Sequence, residues 1–544
     1  MSAFFLGILV SIVIYLGVGW YAGRKVKHLD DYYIAGRNAP TLLIIGTLVA
    51  SFLSTNAFIG EAGMSYSGHG PLIVIMTTLN ATGYIVGALF FGRYLRRSRA
   101  LTVPEFFYAR YQSHRLQAFA GLTIVFGLSC YLLAVTWGVS LIISQVTGLS
   151  GAKTIFIAWF GYTLFTLYSG SRGVILTDTL MFLLFTAVAL LALFFVIDAS
   201  GGWRASVEQL AVFEAKPDLI SWHGVVGPDY SWKTPSEALA WALILGFAWG
   251  MVVAVSPWQS SRYLMARSEH VVIRSACGAA LAMFVLYLVI TFGATSVNLS
   301  KADIEPVDSV MIWAAMNLMP TLAGVLLVTG IMAAGLSSAS TFLSLIGFSV
   351  SNDLLRHSSD PDQLLKTTRR TMVTVGLLVL IFAQILPSNI FWITYFAGPM
   401  FASAWGPVAF MSIWSARITE AGAFWGMVAG FASNLATNAL SLIGGVEFPV
   451  YLDPILVGAA VSLLTIITVS RGGEVSEQEH DYRQELHKVP GSELEPSELG
   501  RTLAWTRALM VAGLIVMIIL TLFYARPYLS ATAQRTTIAA GFEP

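Results

Sequence analysis

Apolar residues run along this chain in blocks of about 20, separated by short polar stretches, with neither the alternation of strands nor the narrow stripe of a surface helix. About 20 apolar residues carry an α-helix across a hydrocarbon core, so each block predicts a spanning helix. About fourteen such blocks can be marked. They lie at 3–23, 42–66, 71–95, 117–147, 153–169, 173–197, 237–258, 270–297, 320–350, 368–386, 389–414, 420–444, 450–470 and 505–525. The pattern predicts an all-α polytopic membrane protein whose solvent is a lipid bilayer.

Polar atoms inside such blocks need partners, and the ninth block holds the densest group, Ala333-Ala334-Gly335-Leu336-Ser337-Ser338-Ala339-Ser340-Thr341. Ala334, Ser337, Ser338 and Thr341 follow the i, i+3, i+4, i+7 spacing and share one helix face. That face can serve a small hard cation or the close approach of another helix, and spacing alone leaves both open. The second block is interrupted by Ala50-Ser51-Phe52-Leu53-Ser54-Thr55-Asn56. The seventh carries Gly246 and Gly250 around Phe247-Ala248-Trp249. Breaks of this kind free backbone carbonyls to line a cavity, as in transporters built from inverted repeats, and these two lie five helices apart. Each taken singly can also be a packing kink.

Two carboxylates within the blocks stand out. Asp178 serves either a cation or the dipole of a helix N-terminus. Glu61, toward the external end of its block, is expected to serve a salt bridge or a gate, with a partly hydrated, solvated carboxylate as the alternative.

Charge is sparse: 11% of residues are charged, against about 25% in soluble domains. The net charge is +1, and the basic residues are divided among loops, which excludes a nucleic-acid surface. An external N-terminus puts Arg24, Lys25, Lys27, the Arg93 to Arg99 cluster, Arg262, Arg267, Arg369 and Arg370 in cytoplasmic loops of an inner (plasma) membrane protein, as the positive-inside rule requires. An even number of spans puts the C-terminus outside as well. The first block lacks a basic leader and a small-residue cleavage site, so it reads as a retained helix. Cys130 and Cys277 lie on different blocks and suggest neither a disulfide nor a metal site. The stretch from Arg471 to Arg501, rich in Glu and holding Pro490 and Pro496, reads as a mobile cytoplasmic linker. The external loop at 198–236, with Trp203, Trp222 and Trp232, reads as a folded connection, or else a short lid. No His/Glu metal pattern and no spaced nucleophile and base argue for an enzyme. A channel lacks a filter-like repeat, and a membrane sensor lacks a signalling domain.

Several segments in order resemble the sodium:solute symporter family. They are Leu29-Asp30-Asp31-Tyr32-Tyr33-Ile34-Ala35-Gly36-Arg37-Asn38, Phe58-Ile59-Gly60, Thr177-Asp178, Gln259 with Arg262-Tyr263-Leu264, and Leu336-Ser337-Ser338-Ala339-Ser340-Thr341. The resemblance implies a LeuT-type core of two inverted five-helix repeats, at 42–197 and 237–414. Around it would lie a leading helix and loop at 1–41, the loop at 198–236, two accessory helices at 415–470, a linker at 471–502 and a last helix with an external tail at 503–544. It implies Na+ as the coupling ion, held by backbone carbonyls of Ala50, Leu53 and Ala334 with the hydroxyls of Ser337 and Ser338. A second sodium site would comprise Asp178, Ser337, Ser340 and Thr341. The solute would lie around Phe52, Asn56, Trp137, Trp249 and Phe396. Phe52 stands where sugar and proline members carry a polar or acidic residue, and Phe107-Tyr108-Ala109-Arg110-Tyr111-Gln112-Ser113 looks like the pantothenate and monocarboxylate branch. The expectation is therefore an importer of an organic anion such as a monocarboxylate, with an amino acid or a sugar as alternatives. No buried Arg or Lys is expected near the solute's carboxylate. Nothing in the sequence fixes the oligomeric state, and a monomer suffices.

Overall fold

The computed structural model describes residues 3–23, 33–355, 361–387 and 390–539. Arg24, Lys25, Lys27 and residues 29–32 of the 29–38 motif lie outside them. Among the described residues every regular element is helical, and ten helical stretches are long and apolar enough to cross a membrane. The elements used below are α1 (Ala3–Gly23), α2 (Thr41–Phe52), α3 (Gly70–Gly87), α4 (His114–Thr147), α5 (Gly151–Ala199), α6 (Pro235–Val255), α7 (Pro257–Met265) and α8 (Glu269–Ser296). They continue as α9 (Thr321–Phe348), α10 (Pro361–Ile385), α11 (Ile390–Ala397), α12 (Pro399–Trp414), α13 (Glu420–Leu442), α14 (Pro454–Arg471) and α15 (Pro496–Leu520).

Two of the expected blocks, 153–169 and 173–197, fall within the single stretch α5. Its halves nevertheless meet the same part of α9. Gly161 and Phe165 line one cavity with Met332 and Leu336, while Asp178 bonds Ser337 and Val188 lies against Gly330. At 1.5 Å per residue a straight helix separates Gly161 from Asp178 by about 25 Å. The chain therefore doubles back within α5.

The central element is α9, buried without interruption from Leu327 to Ser344. A helix apolar or small on every side belongs inside a bundle, and this one carries the four hydroxyls with it. Its neighbours supply the site: α2, α4 and both halves of α5 pack around it.

The second block breaks where its polar residues predict. Helix α2 ends at Phe52, Leu53 leaves helical geometry at φ −70°, ψ 79°, and the chain resumes as π-helical turns at Asn56–Glu61 and Ser65–His69. The other expected break is displaced. Helix α6 runs unbroken through Gly246 and Gly250, and the chain bends at Ser256 (φ −58°, ψ 146°) before Pro257. Proline pushes the residue before it out of helical geometry, which Gly alone does not require. The two glycines instead admit α3: a Cβ on Gly83 would lie 2.1 Å from the Gly250 carbonyl oxygen.

The stretch after α14 is not the mobile linker expected. Glu477–His487 is a helix opened by a Ser476/Glu479 capping box. Arg110, buried on the helix Val103–Tyr111, donates to the carbonyls of Ser412 and Glu479, each at 2.8 Å. Arg97 donates to Leu486 O at 2.7 Å while paired with Glu269, and Arg274 meets Glu498 at 2.6 Å. These ties hold the segment against the arginine-rich face. At the opposite face, the 198–236 loop forms a helix (Trp203–Ala211) and bonds the bundle through Val225 N–H to Gly68 O at 2.9 Å.

Candidate functional site

The break after Phe52 strips α2 of its last helical hydrogen bonds. Ser54 N–H turns to Phe52 O (2.8 Å) instead of reaching Ala50, so the Ala50 carbonyl loses its helical donor. Ser338 fills the gap from α9. Its hydroxyl lies 3.5 Å from Ala50 O and 3.5 Å from Ser51 O, at the outer limit of a hydrogen bond. Three hard oxygens from two helices converge there. Such a set fits a small hard ion that prefers neutral oxygen donors. Ala50, Leu53, Ala334, Ser337 and Ser338 are all buried, with Leu53 closing α2.

Ser337, one residue and about 100° round the helix, faces elsewhere. It donates to Asp178 Oδ1 at 2.6 Å, and Thr47 donates to Asp178 Oδ2 at 2.6 Å. Arg262 completes this cluster, 3.6 Å from Asp178 Oδ2 and donating to Thr341. Ser340 is satisfied within its own helix by Ser337 O. Asp178, Ser337 and Thr341 of the expected second site are thus brought together with a guanidinium among their oxygens, while Ser340 is held by its own helix.

Arg262 overturns one expectation: it is buried rather than in a loop. The chain bends at Pro257 and α7 turns inward, carrying Gln259 onto Ser51 Oγ (3.3 Å) and Arg262 onto Asp178. The signal was Pro257, not the glycines before it.

The solute residues expected around the break separate into two groups. Phe52 meets Trp249 edge-on with ring centres 5.8 Å apart, and the Asn56 amide oxygen and the Phe391 backbone both lie against Gly60. Trp137 turns to α10 and donates to Ala383 O at 3.1 Å. Phe396 packs on Phe126 at the half-buried periphery, 6.4 Å between ring centres. Its neighbour Tyr395 takes the inner position, 5.3 Å from Trp249 and stacked at 4.3 Å on Phe391. One residue on a helix is a third of a turn, so the aromatic run placed the wrong ring inside.

Glu61 is buried at 5% exposure, not partly hydrated. Tyr395 donates to its Oε1 at 3.1 Å, and Tyr287 lies beside it. Thr47, Tyr395, Phe391 and Tyr287 were missed; only a phase set by tertiary packing distinguishes them from ordinary core.

A model described as the sodium:solute symporter family matches residues 32–430. The chain is 24% identical over 487 residues to the sodium/pantothenate symporter of Escherichia coli (strain K12), covering 86% of this chain and 96% of that one. It is 26% identical over 437 residues to the sodium/proline symporter of Salmonella typhimurium (strain LT2), covering 76% and 83%. Among solved structures, the substrate-bound outward-open state of a Na+-coupled sialic acid symporter superposes with a TM-score of 0.71 at 18% identity, covering 87% of this chain and 99% of that one. The fold is the LeuT type the resemblance implied, and the relatives are transporters, not enzymes. The chain belongs to the sodium:solute symporter family.

Proposed function

We propose that the chain imports a small carboxylate-bearing solute, with Na+ held between the broken end of α2 and α9 by the carbonyls of Ala50, Leu53 and Ala334 and the hydroxyl of Ser338, joined by the Ser337 hydroxyl when it turns from Asp178. The observation that carries this reading is the Ser338 hydroxyl facing the freed Ala50 and Ser51 carbonyls from the neighbouring helix. A cation there links two elements, so its binding biases any equilibrium in which they separate. The two repeats at 42–197 and 237–414 are the bodies that would move, and the arginine-rich face is the cytoplasmic one.

The Asp178 cluster is proposed as a second cation locus with Ser337, Ser340 and Thr341. Arg262 already supplies a positive charge there, so a second Na+ enters only as the guanidinium withdraws. With Arg262 engaged, positive potential for a solute carboxylate comes from the bound Na+ and from the helix restarting at Asn56.

Na+-induced stabilisation of the purified protein tests the reading, because an ion that binds only the folded state raises the apparent Tm. The wild type is expected to shift with NaCl and not with choline chloride. Ser337→Ala with Ser338→Ala should weaken the apparent Na+ affinity about tenfold or more. An unchanged Na+ response in that variant rejects the site.

A further inference from the structure

Beside the aromatic cluster lies a carboxylate that the sodium reading leaves unused. Glu61 is 5% exposed; its Oε1 accepts from Tyr395, the Tyr287 hydroxyl stands within reach of the carboxylate, and Oε2 has no further partner. Among the described residues no Lys or Arg forms an ion pair with it. Two more buried polar atoms in the same cluster lack partners, Asn56 Oδ1 and Trp249 Nε1. Buried polar atoms are almost always satisfied, and a buried charge without a counter-charge is costly, so this group of orphans marks where a ligand belongs.

The donor set states what kind. The Glu61 carboxylate, when ionised, and the Asn56 amide oxygen are acceptors, the Trp249 indole N–H is a donor that suits a solute carboxylate, and the surrounding rings present π faces that attract cations. Phe52, Trp249, Tyr395 and Phe391 form a continuous aromatic wall at ring separations of 5.8, 5.3 and 4.3 Å, and Tyr395 bridges that wall to Glu61. An anion alone would meet the repulsion of Glu61. We infer that the solute carries an ammonium group that pairs with Glu61 Oε2 against the Trp249 and Tyr395 rings, so that the transported species is an amino-acid-like zwitterion rather than a simple monocarboxylate. The inference rests on the sodium-coupled reading and narrows its solute.

Matched solute pairs that differ by one amine separate the two readings: alanine against propionate, and proline against cyclopentanecarboxylate. The measurement is the Tm shift of the full-length wild type and of Glu61→Gln, in NaCl and in choline chloride. The expected result is a Na+-dependent shift from at least one amine-bearing member and none from its partner. Glu61→Gln should weaken that response about tenfold or more while still responding to Na+ alone. Equal shifts within the pairs, shifts from the carboxylates only, no shift from any amine-bearing member, or wild-type amine binding by Glu61→Gln would each overturn the inference. If Glu61→Gln does not fold, the wild-type pairs decide, and Tyr395→Phe, which removes the Oε1 donor, should alter amine affinity without altering the Na+ response. Loss of the Na+ shift in the wild type would instead count against the coupling site.

Discussion

Arg262 and Asp178 show how much a single side chain can hold in place. Both are buried, and between them they satisfy groups on two other helices: Asp178 accepts from Thr47 on α2 and Ser337 on α9, and Arg262 donates to Thr341 on α9. Removing one partner of a buried pair strands the other charge. Arg262→Ala is therefore expected to lower stability by about 3–5 kcal/mol, and Arg262→Met with Asp178→Asn to recover most of it. Thermal unfolding in detergent measures both; a single variant as stable as the wild type would show that water reaches the pair. Asp178 was visible in the sequence because a carboxylate among apolar residues is conspicuous. Its partner was not, since Arg262 follows a run that ends in Pro257 and looks like a loop until the chain folds inward. The misplaced Phe396 has the same origin: composition identifies an aromatic segment, but only packing selects its inner ring.

Elements were legible where their polarity departs from the apolar background. The interruption at Ala50 to Asn56 breaks α2 as expected, because Ser and Asn hydrogen-bond locally and compete with the helix. Gly246 and Gly250 were read as a second break, yet a glycine in a membrane helix also lets a neighbour approach. Gly83→Ala should push α3 from α6 and destabilise by about 1–3 kcal/mol, read as a drop in Tm. A neutral result would mean that the Gly83–Gly250 contact is slack. The loop between α8 and α9 adds a pH term. Burial raises the Asp308 carboxyl from 3.8 to about 6. Its folded form thus favours the proton, and the stability it contributes is present below about pH 4 and lost as pH rises through 6. Asp308→Asn should raise the Tm at pH 7 and flatten the pH 4–6 dependence; an unchanged slope assigns it to another group.

At the scale of the molecule, the central helix α9 and the broken helix α2 meet where hydroxyls face freed carbonyls, while the α7 segment seals the arginine-rich side through Gln259 and Arg262. The all-helical class, the buried hydroxyl face and the family were legible from apolar blocks and motif order. The ordered segment at Glu477–His487 was not, because its stability comes from Arg97 and Arg110, residues distant in sequence that no local composition reveals. Sodium between α2 and α9 would couple the two halves of the core, and solute movement should then carry sodium with it. Influx of radiolabelled Na+ into proteoliposomes, driven by an inward gradient of pooled amino acids, tests this most directly. The account predicts that influx rises with the solute gradient in the wild type and that the rise disappears with Ser337→Ala and Ser338→Ala. Solute entering at the same rate with choline in place of Na+, with no Na+ influx, would contradict it.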